Sequence, residues 1–247
     1  MSLGTESSAL CGEVIGSGKR FADLSKVKVV HEMEIPQTKT ELRRMLGFFS
    51  YFREHIANFA EVAKPLTDLT AKRIPMKLPW SSSQQRAFDE LKRLLCKATV
   101  EPLHIVDFTQ PFDLYVDASG QTVSSVLVQR GQDGVEVPVA FSSTKLSPTQ
   151  QAWSTIEREA YAALLGLQKY RNWIFGSQVT VHSDHNPLLY LTESAPKSAK
   201  LMRWALGLQN FNVKFTYHPG RANVAADCLS RLNVDEDSEP NLDCDSK

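Results

Sequence analysis

The sequence predicts an α/β fold of five strands and three helices that follows a mostly helical module. Between Pro36 and Ala98 the apolar residues recur every three or four positions, which is typical of amphipathic helices. After Pro102 the apolar period becomes two, the period of a β-strand, and strand-like and helix-like segments then alternate to about Leu232. This change of period predicts a domain boundary near residues 100–110.

The helical module is expected to occupy residues 11–100. Thr38 and Glu41 form a capping box that begins one long helix, whose apolar face comprises Leu42, Met45, Leu46, Phe49, Phe52, Ile56 and Phe59. A second helix is expected to begin within residues 80–83 and to bury Ala87, Phe88, Leu91, Leu94 and Leu95. Its apolar faces favour a packing role over a chemical one.

Three antiparallel strands are predicted next. Phe112, Leu114 and Val116 alternate with Asp113, Tyr115 and Asp117, as expected for a strand with one buried face. Residues 122–130 and 135–143 have the composition of two further strands, and the Asp133–Gly134 pair between them suits a hairpin turn.

Helices and strands alternate in the remainder of the predicted domain. Ser147 caps a helix that has Pro148 at its first position and Gln150 closing a capping box, and its apolar stripe continues to about Tyr170. The later elements are a strand at 179–183, a helix at 197–209, a strand at 211–217 and a last helix at 223–231.

Charge is distributed unevenly along the chain. Its net charge is zero, but residues 233–247 carry six acids against one lysine and are expected to form a disordered acidic tail. Residues 1–10 are expected to be a disordered leader. Without the tail the net charge is +5, which permits nucleic acid binding without demonstrating it.

Composition indicates a globular intracellular protein, with 42% hydrophobic and 23% charged residues among 247. The sequence has no signal-peptide pattern and no run of about 18 apolar residues, so we expect neither secretion nor a membrane partner. The cysteines lie far apart with no C-x-x-C pair, which argues against a zinc knuckle and against a disulfide framework.

Four acids lie at informative positions of this predicted topology. Asp117 ends the first strand, Glu159 lies on the first helix, Asp184 follows the fourth strand, and Asp227 lies in the last helix. Carboxylates at strand ends and on a neighbouring helix can converge, and such oxygen ligands favour Mg²⁺ or Mn²⁺ over zinc. Topology alone leaves chance placement open, because the chain has 28 acids.

Five motifs carry a resemblance to a known family. They lie at residues 115–119 (YVDAS), 154–160 (STIEREA), 182–188 (HSDHNPL), 203–209 (RWALGLQ) and 217–231 (YHPGRANVAADCLSR). In this order they resemble the ribonuclease H domain of gypsy-type LTR-retrotransposon polyproteins.

Upstream segments resemble the reverse transcriptase of the same family. Residues 46–53 (LGFFSYFR), 65–69 (PLTDL) and 87–92 (AFDELK) look like its thumb and connection, and residues 11–29 are similar to the end of its palm. The resemblance therefore covers all but the leader and the acidic tail.

The resemblance implies a ribonuclease H-like fold over residues 103–232, with a five-stranded mixed sheet and flanking helices. The implied enzyme cuts the RNA strand of RNA–DNA hybrids with two Mg²⁺ or Mn²⁺ ions. Its implied partners are the hybrid and the polymerase domain of the same polyprotein, in the cytoplasm or in a virus-like particle if the element is active. The alternative is a catalytically idle or domesticated fragment that binds hybrids or serves as a scaffold.

The resemblance also implies roles for particular residues. The catalytic, metal-binding acids would be Asp117, Glu159, Asp184 and Asp227. Glu157 competes for the second place, but the family's acid precedes a small or apolar residue, which fits Glu159 better. His218 stands where related enzymes carry a mobile histidine; the alternative is a structural or surface histidine. Ser119 and Gln121 are candidates for substrate contact, and simple turn polarity is the alternative.

Overall fold

The computed structural model describes residues 8–10, 12–131, 134–184 and 199–217. These residues form two β-sheets. The first sheet has four short strands in the order β1-β2-β3-β4, namely Ser8–Leu10, Glu13–Gly16, Lys19–Ala22 and Leu103–His104. The second sheet has five strands in the order β7-β6-β5-β8-β9; in chain order, β5 to β9 are Phe112–Ala118, Thr122–Arg130, Glu136–Lys145, Gln178–Ser183 and Asn212–Tyr217.

Helices accompany both sheets. Those of the amino-terminal part are α1 (Leu24–His31), α2 (Lys39–Tyr51), a 3₁₀ helix (Arg53–His55), α3 (Phe59–Val62), α4 (Lys64–Asp68) and α5 (Ser82–Lys97). Those that accompany the second sheet are α6 (Pro148–Gln151), α7 (Thr155–Lys169), α8 (Arg171–Ile174) and α9 (Ala199–Leu208). The last predicted helix, at 223–231, lies outside the described residues.

The second sheet has the predicted mixed character. β5, β6 and β7 pair antiparallel, whereas β8 runs parallel to β5 and β9 runs parallel to β8. In the pairing of β5 with β8, Tyr115 lies opposite His182. The carboxyl ends of these two strands therefore lie side by side at one edge of the sheet.

Helix α7 packs closely against β5 and β6. A Cβ atom added to Gly166 would lie 3.1 Å from Ser125 Oγ and 3.2 Å from Leu114 Cδ2, so a glycine permits the close approach. Phe112, Leu114 and Leu167 are fully buried in the core between this helix and the sheet. This packing fixes the height of α7 along the strands.

The opposite face of the second sheet is also covered. Tyr115, Val126 and Phe141 are buried there against Ala57 and Leu103 of the amino-terminal part. β5 is therefore more buried than its alternating sequence predicted. Of the residues expected on its solvent face, Tyr115 is buried against the amino-terminal part, Asp113 is half-buried and Asp117 is exposed.

Polar contacts cross the same junction. The Ala60 amide donates to Ser143 Oγ at 2.8 Å, and the Arg53 guanidinium donates to the Ser143 carbonyl oxygen. Arg20 Nη2 donates to the Val139 carbonyl oxygen at 2.9 Å. The buried apolar and polar contacts together join the two parts into a continuous structure.

Two predicted long helices are interrupted. α2 ends at Tyr51, a 3₁₀ helix follows at Arg53–His55, and the apolar stripe continues into α3. Before α3, Asn58 adopts a left-handed conformation (φ +50°) that turns the chain. The helix capped by Ser147 ends at Gln151, and Ser154 begins a new helix with its own capping box. An apolar stripe continues across such breaks, so periodicity alone does not reveal them.

The first sheet departs from the predicted organisation. Ser8–Leu10, expected within a disordered leader, pair with β2, and the module expected to be mostly helical has a sheet of its own. Leu103 and His104, expected at the start of the second domain, pair with β3 instead. Strands of two to four residues are too short to produce a recognisable period of two.

Candidate functional site

Two strand ends carry the first two acids of the site. Asp117 is the penultimate residue of β5, and Asp184 directly follows the last residue of β8. Because these strands are parallel neighbours, the two residues lie at the same edge of the sheet. Both residues are exposed at that edge.

Helix α7 supplies the third acid from the covered side of the sheet. Glu159 lies one turn into the helix and is only 3% exposed. Its Oε2 atom is buried without a hydrogen-bond partner among the described residues. One carboxylate oxygen from each of Asp117, Glu159 and Asp184 lies within 4.8 Å of the other two.

Electrostatics at this cluster favour proton uptake. Burial, together with the charges of Asp117 and Asp184, raises the pKa of Glu159 to about 8, although the Ala118 amide and the Ser183 side chain oppose the shift. Burial and the charge of Asp184 also raise the pKa of Asp117. The cluster therefore has an excess of negative charge that a proton or a cation would neutralise.

Glu157 is engaged elsewhere. It closes the capping box with Ser154, and its Oε1 lies 3.0 Å from Lys200 Nζ on α9. The hydrogen bond from Lys200 is the main cause of its lowered pKa. Of the two glutamates that competed for the second place, the structure brings Glu159, and not Glu157, to the two aspartates.

Comparison with known proteins identifies the family. The family model for the RNase H-like domain found in reverse transcriptase matches residues 107–211. The chain is 36% identical, over 95% of its length, to the retrovirus-related Pol polyprotein from transposon opus of Drosophila melanogaster. It is 33% identical, over 96% of its length, to the Pol polyprotein from transposon gypsy of the same organism. The chain belongs to the Pol polyprotein family of LTR transposons. It spans about a quarter of each of these Pol polyproteins, 25% and 24% of their lengths.

Solved structures similar to this Pol segment agree on the fold. It superimposes on the foamy viral protease-reverse transcriptase in complex with RNA/DNA hybrid with a TM-score of 0.71 at 22% identity, over 87% of this chain and 29% of that one. A structure of the foamy viral protease-reverse transcriptase dRH in complex with double-stranded DNA gives a TM-score of 0.73 at 22% identity, over 86% and 38% of the two chains. The ribonuclease H-like fold predicted from the sequence is confirmed.

The three acids of this Pol segment fit a divalent metal ion. They supply hard oxygen ligands, which Mg²⁺ and Mn²⁺ prefer. The buried Oε2 of Glu159 has no hydrogen-bond partner among the described residues and is therefore free to coordinate a cation. The fourth predicted acid, Asp227, and His218 lie outside the described residues, so their roles stay predictions. Within the described part of the chain, no helix is long and apolar enough to cross a membrane.

The turn after β5 contains both residues predicted to contact substrate. Ser119 Oγ accepts hydrogen bonds from the amides of Thr122 at 2.9 Å and Gln121 at 3.1 Å, so this hydroxyl shapes the turn. Gln121 is exposed. Substrate contact by either residue stays a prediction.

Arg158 is a residue of this region that the sequence analysis did not single out. Its Nη1 donates to the Ser119 carbonyl oxygen at 3.0 Å and so joins α7 to the turn after β5. An arginine next to the glutamate that contributes to the acid cluster was the available signal. Its contact with the turn was not predictable, because a single sequence does not reveal which loop lies above a helix.

Proposed function

We propose that this chain hydrolyses the RNA strand of RNA–DNA hybrids, as the ribonuclease H part of a retrotransposon reverse transcriptase. The observation that carries the proposal is the convergence of Asp117, Glu159 and Asp184, with a buried carboxylate oxygen unpaired, at one edge of a ribonuclease H-like sheet. Membership of the Pol family supports it. Asp227 is proposed as the fourth acid.

Phosphodiester hydrolysis needs a water molecule in line with the leaving 3′ oxygen and neutralisation of the charge that develops on the phosphate. Two divalent ions, Mg²⁺ or Mn²⁺, would supply both effects when bound by these acids. Asp117 and Asp184 are exposed, so a substrate phosphate can reach their carboxylates. Glu159 is buried and anchors the site from the helix side.

Selection of RNA requires contact with the 2′-hydroxyl groups, which lie in the shallow minor groove of the hybrid. Gln121 is exposed close to Asp117 and is the better placed of the two candidates from the turn, since the Ser119 hydroxyl already accepts two backbone hydrogen bonds. His218 is proposed to assist product release or proton transfer. Its position in the sequence, directly before a Pro-Gly pair, supports this role.

The proposed partners are the RNA–DNA hybrid and the polymerase domain of the same polyprotein. Similarity to Pol polyproteins over nearly the whole chain, which spans about a quarter of their length, supports the second partner. We propose the cytoplasm, or a virus-like particle there, as the place of action.

Cleavage of a labelled RNA–DNA hybrid by the purified chain tests the proposal. We expect cleavage of the RNA strand with Mg²⁺ or Mn²⁺, none in EDTA, and no cleavage of a DNA–DNA duplex of the same sequence. Asp117→Asn should lower the rate by orders of magnitude, because the amide keeps the size of the carboxylate but loses the charge that holds a cation. Hybrid binding should be unchanged or tighter, since a negative charge beside the phosphates is removed.

A matched pair of variants on one helix provides the control. Glu159→Gln and Glu157→Gln remove one charge each from α7, two residues apart, but only Glu159 belongs to the acid cluster. Cleavage should be lost with the first and nearly retained with the second. A wild-type chain that retains the hybrid but never cuts it, with any divalent ion, would instead identify an idle hybrid-binding fragment.

A further inference from the structure

The proposed site depends on two segments that are far apart in sequence. Asp117 is carried by β5 and Glu159 by α7, and one carboxylate oxygen of each lies within 4.8 Å of the other. Without a cation the like charges of these acids repel one another. Helix and strand end must therefore be held together by contacts other than the acids themselves.

Arg158 makes a direct contact of this kind. Its Nη1 donates to the Ser119 carbonyl oxygen at 3.0 Å, and its Nη2 lies 3.4 Å from Thr155 Oγ1 within the same helix. The guanidinium lies close above the turn, since a Cβ atom added to Gly120 would be 3.4 Å from Nη1. One terminal nitrogen of the guanidinium thus contacts the turn, and the other contacts its own helix.

Hydrogen bonds within the turn make it rigid, so a restraint on Ser119 also restrains the end of β5 that carries Asp117. The Ser119 amide donates to the Thr122 carbonyl oxygen at 2.9 Å, and Ser119 Oγ accepts from the Thr122 amide at 2.9 Å. A segment bonded in this way moves as one unit. A bond at the Ser119 carbonyl therefore restrains Asp117, which lies two residues earlier.

The contact between Arg158 and the turn leaves one nitrogen of the guanidinium without a hydrogen bond among the described residues. Arg158 Nε is buried and has no hydrogen-bond partner among the described residues. A buried unpaired donor costs stability, whereas an arginine that extended into solvent would have all of its donors hydrated. The observed conformation is therefore explained by the contact with the turn rather than by the best solvation of the arginine.

We propose that Arg158 is a positioning residue that sets the spacing of Asp117 and Glu159 and thereby the affinity of the site for divalent cations. The inference rests on the proposed function. Ligand atoms need to be held within about 0.5 Å of their working positions, and loss of groups that orient metal ligands weakens metal binding by about 10- to 100-fold. Arg158 itself touches neither metal nor substrate in this role.

Calorimetric titration of the full chain with Mn²⁺ tests the inference, beside the Mg²⁺ dependence of hybrid cleavage. Arg158→Ala should weaken Mn²⁺ binding about 10- to 100-fold and raise the Mg²⁺ concentration for half-maximal cleavage to match. The maximal rate at saturating Mg²⁺ should change far less. Metal that restores the rate separates positioning from general damage to the fold, which circular dichroism also monitors.

Arg130→Ala is the matched control. It removes the same charge from the other end of β6, where Arg130 is largely exposed. It should leave Mn²⁺ affinity unchanged and controls for the loss of one positive charge far from the site, whereas Arg158→Lys keeps the charge beside the site and controls for local electrostatics. If Arg158→Ala does not fold, Arg158→Lys provides the same test, because an ammonium keeps the charge but lacks the planar fork that spans Ser119 and Thr155. Intermediate Mn²⁺ affinity is expected for it, and wild-type affinity would overturn the inference.

The outcomes separate this inference from the proposed function. Wild-type Mn²⁺ affinity in Arg158→Ala, in a chain that cleaves hybrids, overturns the positioning role alone. A wild-type chain that binds Mn²⁺ but cleaves nothing overturns the proposed function, and weaker binding by Arg158→Ala would still support the bridge.

Discussion

Glu159→Gln is expected to change the pH dependence of stability in the metal-free protein. The folded-state pKa of Glu159 is raised from its ordinary 4.5 to about 8. An acid of this kind binds its proton more tightly in the folded state than in the unfolded state. The stabilisation that comes from this tighter proton binding is therefore lost, and the free energy of unfolding falls, as the pH rises from 4.5 toward 8.

The magnitude follows from the span between the two values. At pH 6 the folded state retains the proton while the unfolded chain has lost it, and at pH 8 the folded state is about half ionised. The free energy of unfolding should fall by about 2 kcal/mol between pH 6 and pH 8, which lowers Tm by about 4–8 °C in a chain of this size. Acids with lowered pKa values, such as Glu13 and Asp68, are ionised in both states throughout this range and add no slope.

Thermal unfolding followed by circular dichroism in EDTA measures this effect. The wild-type Tm should fall from pH 6 to pH 8, whereas that of Glu159→Gln should fall much less, with any remaining slope assigned to Asp117, whose pKa is also raised. Glu157→Gln should keep the wild-type slope and lose up to about 1 kcal/mol at both pH values, since it loses the ion pair with Lys200. Saturating Mg²⁺ should remove the wild-type slope, because metal binding keeps the carboxylate ionised. A level wild-type curve, or an equal slope in Glu159→Gln, would refute the reasoning.

Three further predictions concern packing and the ends of the chain. Gly166→Ala should cost about 1–3 kcal/mol and lower Tm, because the new methyl group would crowd Ser125 and Leu114; an unchanged Tm would contradict the close packing. A truncated chain beginning at residue 105 should unfold at lower temperature or aggregate, since it uncovers Tyr115, Val126 and Phe141; light scattering and Tm measure this, and wild-type behaviour would count against it. Residues 233–247 should be disordered, and their removal should leave hybrid cleavage unchanged. Strong hydrogen-exchange protection of the tail, or loss of cleavage on its removal, would contradict this prediction.

Much of the second sheet was predictable from sequence. The period of two in Phe112, Leu114 and Val116 identified β5, and residues 122–130 coincide with β6. The capping box of Ser81 and Gln84 marks the start of α5, whose five predicted apolar residues are all buried. These signals are local, because the periodicity and the caps depend only on neighbouring residues.

Other features depend on contacts between distant residues. Tyr115 is buried because Ala57 and Phe141 lie against it, and Arg158 is important to the turn only because α7 passes below it. The turn before α3 depends on a left-handed Asn58, and the apolar stripe reveals neither this turn nor the end of α2 at Tyr51. Three of the four predicted acids lie in described residues and are brought together, but the sequence pattern alone did not give their burial or their charge state.

The sheet that is covered on both faces has a consequence for exchange of the ribonuclease H-like domain between related polyproteins. Tyr115, Val126 and Phe141 are buried together with Ala57 of the amino-terminal part, and Arg53 is hydrogen-bonded to the backbone of Ser143. A recombination point between residues 98 and 112 would transfer the acid cluster without the surface that covers the sheet. Chimaeras that fold should therefore inherit α2 to α5 together with the ribonuclease H-like domain, which makes the pair, rather than that domain alone, the heritable unit.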